Sequence, residues 1–345
     1  MSNHNDWHDD SVQEFVTICA DRGVATRRAR RCKTQSSFSS LDPLSKAGLF
    51  FRKFRAMIVR KRNGSMLNVR YEAPDERLAL LVSSFYRLDY EGDGFTEIER
   101  ADRAQFRFHL RGTGEYHFAG GLIVPSYPVT IIGPTTAPVT SIAKSDMIIF
   151  GWGMLPAGWA ALIGKNSEFR VDNALDARDI FGDAIMQVFD RLLNTDYAGQ
   201  LQIGTQTALD IYAHSDAPPF EFTSIVDGWL LRNADPDIDI LIQSTGLSPR
   251  QLERTTKRYY GMPPKKLARK YRALRAAHAL ARGDSLDDTG LGLAFYDQSH
   301  LIREIKAFTG LTPSQLKSGQ SPLTQATMDG RRSLGGKVSG LVSDS

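Results

Sequence analysis

Two small sets of polar side chains sit at spacings that suit reading the edges of paired bases. In the first, Arg250, Glu253 and Arg254 fall on one side of a single helical stretch, with Lys257 and Arg258 one turn further on. In the second, Gln298, Ser299 and Arg303 repeat the arrangement, with Lys306 beyond them. An arginine can pair bidentately with guanine N7 and O6, and a glutamate can accept from cytosine N4. Lysines and arginines further along such a helix suit phosphates, whose contacts fix register. Between Arg250 and Arg275 ten Lys and Arg stand against one acid, Glu253. Such density matches the electrostatic footprint of a polyanion-binding surface. The competing reading is a solvated helix surface that binds nothing.

The elements that must position these residues follow from the flanking sequence. Ile238, Leu241 and Ile242 give a short helix one apolar face. Gly246 can take the positive φ that ends it, and Leu247 plugs the space behind. Ser248 is a good N-cap, and Pro249 stands at the first helical position, where its missing N–H costs nothing. Leu252 turns inward, and Gly261 closes the helix. A long linker helix follows Pro263-Pro264 to about Arg282, with Leu267, Tyr271 and Leu274 on one face. The pattern then recurs: residues 286–293 as a short helix, Ala294-Phe295-Tyr296 as a turn, and Asp297 as an N-cap. Leu301, Ile305 and Phe308 form the next inward face, and Gly310 ends it. Each set is a helix, a turn and a capped second helix with polar outward residues, which is a helix-turn-helix.

At this point Gly246-Leu247-Ser248-Pro249-Arg250-Gln251-Leu252, Phe295-Tyr296-Asp297-Gln298-Ser299-His300-Leu301 and Phe308-Thr309-Gly310-Leu311-Thr312-Pro313 resemble the DNA-binding domain of the AraC/XylS family of bacterial regulators. The resemblance covers about residues 222–318. It implies two helix-turn-helix units, joined by the linker helix, entering successive major-groove segments on one DNA face. It places base reading on Arg250, Glu253 and Arg254 and on Gln298, Ser299 and Arg303. Lys257, Arg258 and Lys306 are left for phosphates. The sequence departs from the family at three places. Thr255 and Thr256 occupy the site of a bulky apolar pair, Thr289 and Gly290 replace an Ile-Ala pair, and Ala294 replaces the turn glycine. Each swap costs about a kcal/mol, so both units are expected to form but to be less rigid. The first unit and the linker helix, where cations concentrate, are expected to supply most of the affinity.

The remaining chain bounds the rest. Its 345 residues allow more than one domain, and 41% apolar content fits globular folding. Net charge is +7 over residues 1–65, −9 over 66–221, +5 over 222–322 and +1 over 323–345. Basic ends around an acidic middle suggest different partners for different segments. Residues 1–65 read as a mostly disordered basic segment, including Arg27, Arg28, Arg30, Arg31 and Lys33. Met66 precedes the first convincing folded segment, so a translation start there is a standing alternative. Cys19 and Cys32 form neither a disulfide framework nor a metal pattern. With no apolar run near 18 residues and no signal-peptide pattern, a cytoplasmic location is expected.

Residues 66–180 read as short antiparallel strands in a small barrel or sandwich. Phe106, Phe108 and Leu110 alternate with Arg107 and His109, and a hairpin turn is expected at Gly112-Thr113-Gly114. Tyr71-Glu72-Ala73-Pro74 and Gly151-Trp152-Gly153-Met154-Leu155-Pro156-Ala157-Gly158 resemble, more loosely, the cupin-like sensory half of such regulators. That implies effector binding or dimerisation, with Trp152 and Trp159 as candidate pocket residues or ordinary core. Residues 181–219 read as a helical connector or dimerisation region, 220–322 as the double helix-turn-helix domain, and 323–345 as a disordered tail.

The fold class is therefore α+β in two domains: an antiparallel β-barrel with connector helices, then an all-α domain. The leading function is a sequence-specific transcription regulator, controlled by a small-molecule effector or by dimerisation. Its expected partners are double-stranded DNA, an effector, RNA polymerase and a second copy of the chain, with no membrane. One rival is a constitutive DNA-binding protein whose N-terminal half only dimerises. Another is a cupin-type enzyme fused to a DNA-binding module. Metal cupins need clustered histidines, and His109 and His117 lack such pairing. No Gly-x-Ser-x-Gly elbow is present. No enzymatic activity, metal or cofactor is therefore expected.

Overall fold

Alternation along β5 (Gln105–Arg111) does not produce one dry and one wet face. In the computed structural model, which describes residues 57–60, 66–164, 171–318 and 321–343, Phe106 and Phe108 are buried on one side of β5. Arg107 and His109 are buried on the other. Both faces are covered because β5 has helices packed on one side and a second sheet on the other, as an interior strand of a seven-stranded antiparallel sheet. Its order is β1 (Met57–Arg60), β2 (Met66–Glu72), β3 (Val82–Glu91), β10 (Met147–Met154), β5, β8 (Val129–Ile132), β11 (Ala174–Asp176). A four-stranded sheet carries β4 (Phe95–Glu99), β9 (Val139–Ala143), β6 (Gly114–His117) and β7 (Ile123–Pro125) in that order. The expected barrel is thus two antiparallel sheets, each with its own edge strands.

The Gly-Thr-Gly turn explains part of this. Gly112 takes φ +77°, and a Cβ there would lie 2.1 Å from the Asp146 carbonyl oxygen. The turn leads from β5 in the large sheet to β6 in the small one, so it crosses between sheets where a hairpin was expected. The expectations for the basic cluster at 27–33, both cysteines and the rest of residues 1–56 lie outside the described residues. β1, within the segment expected to be disordered, pairs with β2 from Met57↔Val69 to Arg60↔Met66.

One face of the large sheet is covered by α1 (Pro156–Ile163), α2 (Arg178–Phe181), α3 (Ala184–Leu193) and α4 (Tyr197–Ala213). Phe85, Phe106, Phe150 and Trp152 pack there against Ile185, Leu192 and Ile211. The apolar face of the connector region is therefore used within the chain, as packing on the sheet. The other face, with Leu67, Val69, Leu88 and Ile149, looks toward the small sheet.

The helical half follows its capping signals. After α5 (Phe220–Arg232), α6 (Ile238–Thr245) ends at Gly246 with φ +64°. α7 (Pro249–Tyr260) opens on a capping box: the Ser248 Oγ accepts from the Gln251 N–H, and the Gln251 Oε1 accepts from the Ser248 N–H at 3.0 Å. α8 (Pro264–Arg282) is the linker helix. α9 (Gln298–Thr309) is capped by Asp297 and closed by Gly310, and α10 (Pro313–Ser318) follows.

Two expectations fail here. Residues 286–293 do not make an α-helix; turns and a short 3-10 segment (Gly292–Ala294) replace it. Gly290 takes φ +69°, which a helix cannot contain, and Thr289 turns its hydroxyl back onto the Ser285 and Leu286 carbonyls. The tail is likewise ordered into α11 (Pro322–Arg332) and α12 (Gly340–Ser343). Its Gly and Ser content conceals Leu323 and Ala326 at helical spacing, which pack on the sheet through β2, and the buried Met328. Leu341 enters the core of the first helix-turn-helix unit.

Candidate nucleic-acid interface

On α7 the side chains Arg250, Glu253, Arg254 and Lys257 are all exposed, while Leu252, Thr256 and Tyr260 point inward. On α9, Gln298, Ser299, Arg303 and Lys306 are exposed, with Ile305 and Phe308 inward. Every candidate base reader therefore stands on the outer face of a capped helix, near its N-terminal end. Glu253 and Lys257 form an exposed ion pair at 2.8 Å. Arg258 departs from the set: it is half-buried, its guanidinium 5.4 Å from the Tyr259 ring centroid. Thr256, where an apolar residue is usual, is fully buried, and its Oγ1 has no hydrogen-bond partner among the described residues. Leaving such a hydroxyl unpaired costs about 1–3 kcal/mol.

The cations of α8 are arranged otherwise than their density implied. Arg269 reaches the Glu304 carboxylate on α9 at 2.7 Å. Arg272 is buried and pairs with Asp235. Arg275 donates to the Leu230 carbonyl at 2.8 Å. Lys270 is buried and donates to the carbonyls of Asp102 (2.9 Å) and Thr135 (3.1 Å) in the β domain. Burial pushes its amine down to about 7. The linker helix thus uses Arg269, Lys270, Arg272 and Arg275 to hold neighbouring elements, while Lys265 at its N-terminal end is exposed. Charge counted along a sequence carries no information on where each side chain points.

A cavity of about 110 Å³ lies between the two sheets and opens toward the helical half. Val69, Leu88, Phe95, Met147 and Ile149 line it from the strands. Leu274, Ala277, Leu311 and Leu316 line it from α8 to α10, and Leu323 and Met328 from α11. Its polar floor is a connected cluster. Arg107 pairs with Glu99 at 2.7 Å and donates to the Tyr86 hydroxyl at 3.0 Å. Tyr116 bonds His109 through Nε2 at 3.0 Å. Burial would raise the Glu99 carboxyl, but the Arg107 guanidinium outweighs it and holds it low. Burial, helped by Arg107, pushes His109 down to about 3 and keeps it neutral. At the rim Arg331 of α11 pairs with Asp102. Burial would raise Asp102, yet Arg331 and Arg100 hold it well below the usual carboxylate range.

Trp152 and Trp159 are each 1% exposed and do not line this cavity. Trp152 stacks on Phe106 at 4.4 Å in the core, on the opposite face of the sheet. Trp159 borders a second space of about 20 Å³. The lining residues Arg107, His109, Tyr86 and Glu99 were missed because they come from three strands that only the folded sheets bring together. The one available signal was that Arg107 and His109 alternate with the aromatic Phe106 and Phe108 along one strand.

A family model described as a helix-turn-helix domain matches residues 241–319. No curated protein matches the sequence. Among solved structures, ToxT from Vibrio cholerae O395 aligns at 9% identity and TM-score 0.39, over 75% of this chain and 100% of that one. Wild-type ToxT from Vibrio cholerae strain SCE256 bound to an unsaturated fatty acid aligns at 8% and 0.39, over 74% and 96%. The AraC-like transcriptional activator CuxR aligns at 12% and 0.31, over 68% and 90%. At these scores the whole-chain likeness says nothing about ligand or mechanism; the domain match bears on DNA binding.

Proposed function

We propose that this chain is a DNA-binding transcription regulator of the AraC type with a division of labour between two reading helices, a reading supported by the helix-turn-helix domain matched at residues 241–319. α7 and α9 are the two reading helices. Arg250, Glu253 and Arg254 meet base edges in one major-groove segment, and Gln298, Ser299 and Arg303 in the next. Lys257 and Lys306 lie one turn further along and meet phosphates. The observation that carries this reading is that all of these residues are exposed on two capped helices. The test is a pair of substitutions measured on a duplex selected by the wild-type protein from a randomised pool. Arg254→Ala and Arg303→Ala should each cost about 1–3 kcal/mol of specific affinity and relax preference at one base position. Wild-type specificity in both variants would overturn the assignment.

A second reading concerns control. The cavity is walled by the β domain, the reading domain and the tail helix together. A small, largely apolar molecule carrying a hydrogen-bonding group fits its apolar walls and its polar floor. Such an occupant touches both domains, so its binding energy differs between arrangements of the two, as effector control requires.

A further inference from the structure

The second reading unit lacks its own first helix, yet α9 is well anchored. Residues 286–291 contribute turns where the first unit has α6, and Leu293 projects into solvent, 94% exposed. Part of the support for α9 comes from α8, through Ile305 and Phe295. The rest comes from the β domain. Phe308 is buried against Ala101 as well as Ala273 and Leu274. The Ala101 N–H donates to the Phe308 carbonyl at 2.7 Å, satisfying one of the acceptors that a helix leaves open at its C-terminal turn. At Gly310, which closes α9, a Cβ would stand 2.6 Å from Ile98 Cγ2 and 3.3 Å from Pro138 Cβ.

The two β-domain segments involved are tied to each other and to the linker helix. The Thr135 N–H donates to the Asp102 carbonyl at 3.0 Å, and the Asp102 N–H to the Thr135 Oγ1 at 2.7 Å. Lys270 bonds both carbonyls from α8. The same loop reaches the first unit: a Cβ at Gly261, which closes α7, would lie 3.1 Å from Pro134 Cγ. One loop of the β domain, residues 133–138, therefore abuts the ends of both reading helices.

We propose that the β domain completes the second reading unit: residues 98–101 and 133–138 take the place of its missing first helix and position α9 on DNA. This rests on the reading that α9 contacts bases. Because Ile98, Leu274 and Thr309 also border the cavity, an occupant there bears on the same support. Removing the support leaves α7 in register and lets α9 swing, so specificity is lost from one half of the site only.

The experiment uses the full chain and the duplex selected from a randomised pool by the wild-type protein. Affinity is measured for that duplex and for versions with bases changed in either half, for the wild type, Ile98→Ser, Pro138→Ala and the double variant. Ile98 is 39% exposed and Pro138 half-buried, so either single change is compatible with folding. In the wild type a wrong base in either half should cost about tenfold. In the variants the penalty in the α9 half should fall below about twofold. The α7 half should keep its full penalty, and Ile98→Val should restore wild-type behaviour. A variant that retains the α9-half penalty overturns the proposal, and so does a uniform loss in both halves. Arg303→Ala separates the underlying reading: if it leaves the α9-half penalty unchanged, α9 does not read bases at all.

Discussion

His109 shows how a single residue links burial, charge and stability. Its ring is 6% exposed and is held neutral beside Arg107, with its pKa pushed down to about 3 from 6.5. In the unfolded chain the imidazole protonates below about 6.5, so between 6.5 and 3 the unfolded state binds more protons than the folded one. Stability therefore falls as pH drops through that window, by up to about 1.4 kcal/mol per pH unit for this one group. His109→Gln, which can still meet the Tyr116 hydroxyl, should flatten the decline. The measurement is urea unfolding at pH 4 to 7; an identical slope in wild type and variant would remove His109 as its source. At the same scale, Arg107 and Glu99 neutralise each other beneath the cavity, so the floor favours a ligand that hydrogen-bonds there.

The linker helix shows that an element's span can be read correctly while the directions of its side chains are not. The expected span to about Arg282 agrees with α8, and so do the caps of α7 and α9. Four of its cations, however, brace neighbouring elements. Glu304 is 5% exposed in its side chain and depends on Arg269, which is 45% exposed. Arg269→Ala should lower stability by about 2 kcal/mol, since it weakens the pairing of a buried carboxylate. It should leave the salt dependence of DNA binding unchanged. Lys257→Ala should do the reverse, reducing the salt slope by about one with little effect on stability. Salt titrations and denaturant unfolding on both variants give the comparison. A reduced slope for Arg269→Ala would return the linker helix to the DNA face.

The whole molecule is stitched together by its C-terminal tail. α11 lies on the large sheet, with Gly330 so close to the Tyr71 ring that a Cβ would stand 2.3 Å from it. Beyond it, Leu341 packs with α5 to α8. The β domain, the helical half and the tail thereby enclose one cavity, and a ligand there should stabilise the whole chain. A compound at a hundredfold excess over its dissociation constant should add about 2.7 kcal/mol. Thr327→Trp, which fills the space from α11, should abolish the thermal shift while raising the unfolding temperature of the free protein. A compound whose shift survives Thr327→Trp binds elsewhere.

What could be read from the sequence alone was what depends on neighbours along the chain. Ser248 with Gln251, Pro249 at the first helical position, Asp297, and the glycines at 246, 261 and 310 specify helix ends within a few residues of themselves. The same locality gives the outward faces of α7 and α9, because a fixed helical period converts spacing into direction. Tertiary structure alone decided the rest. Whether Arg107 and His109 met water depended on a second sheet reached through the Gly112 crossing. Whether Lys270 met phosphate or carbonyl oxygen depended on a loop 135 residues away. The turns at 286–291 are compatible with an anchored α9 because the β domain packs against its far end. No local pattern encodes that, since packing energy accrues between surfaces that only the folded chain brings together.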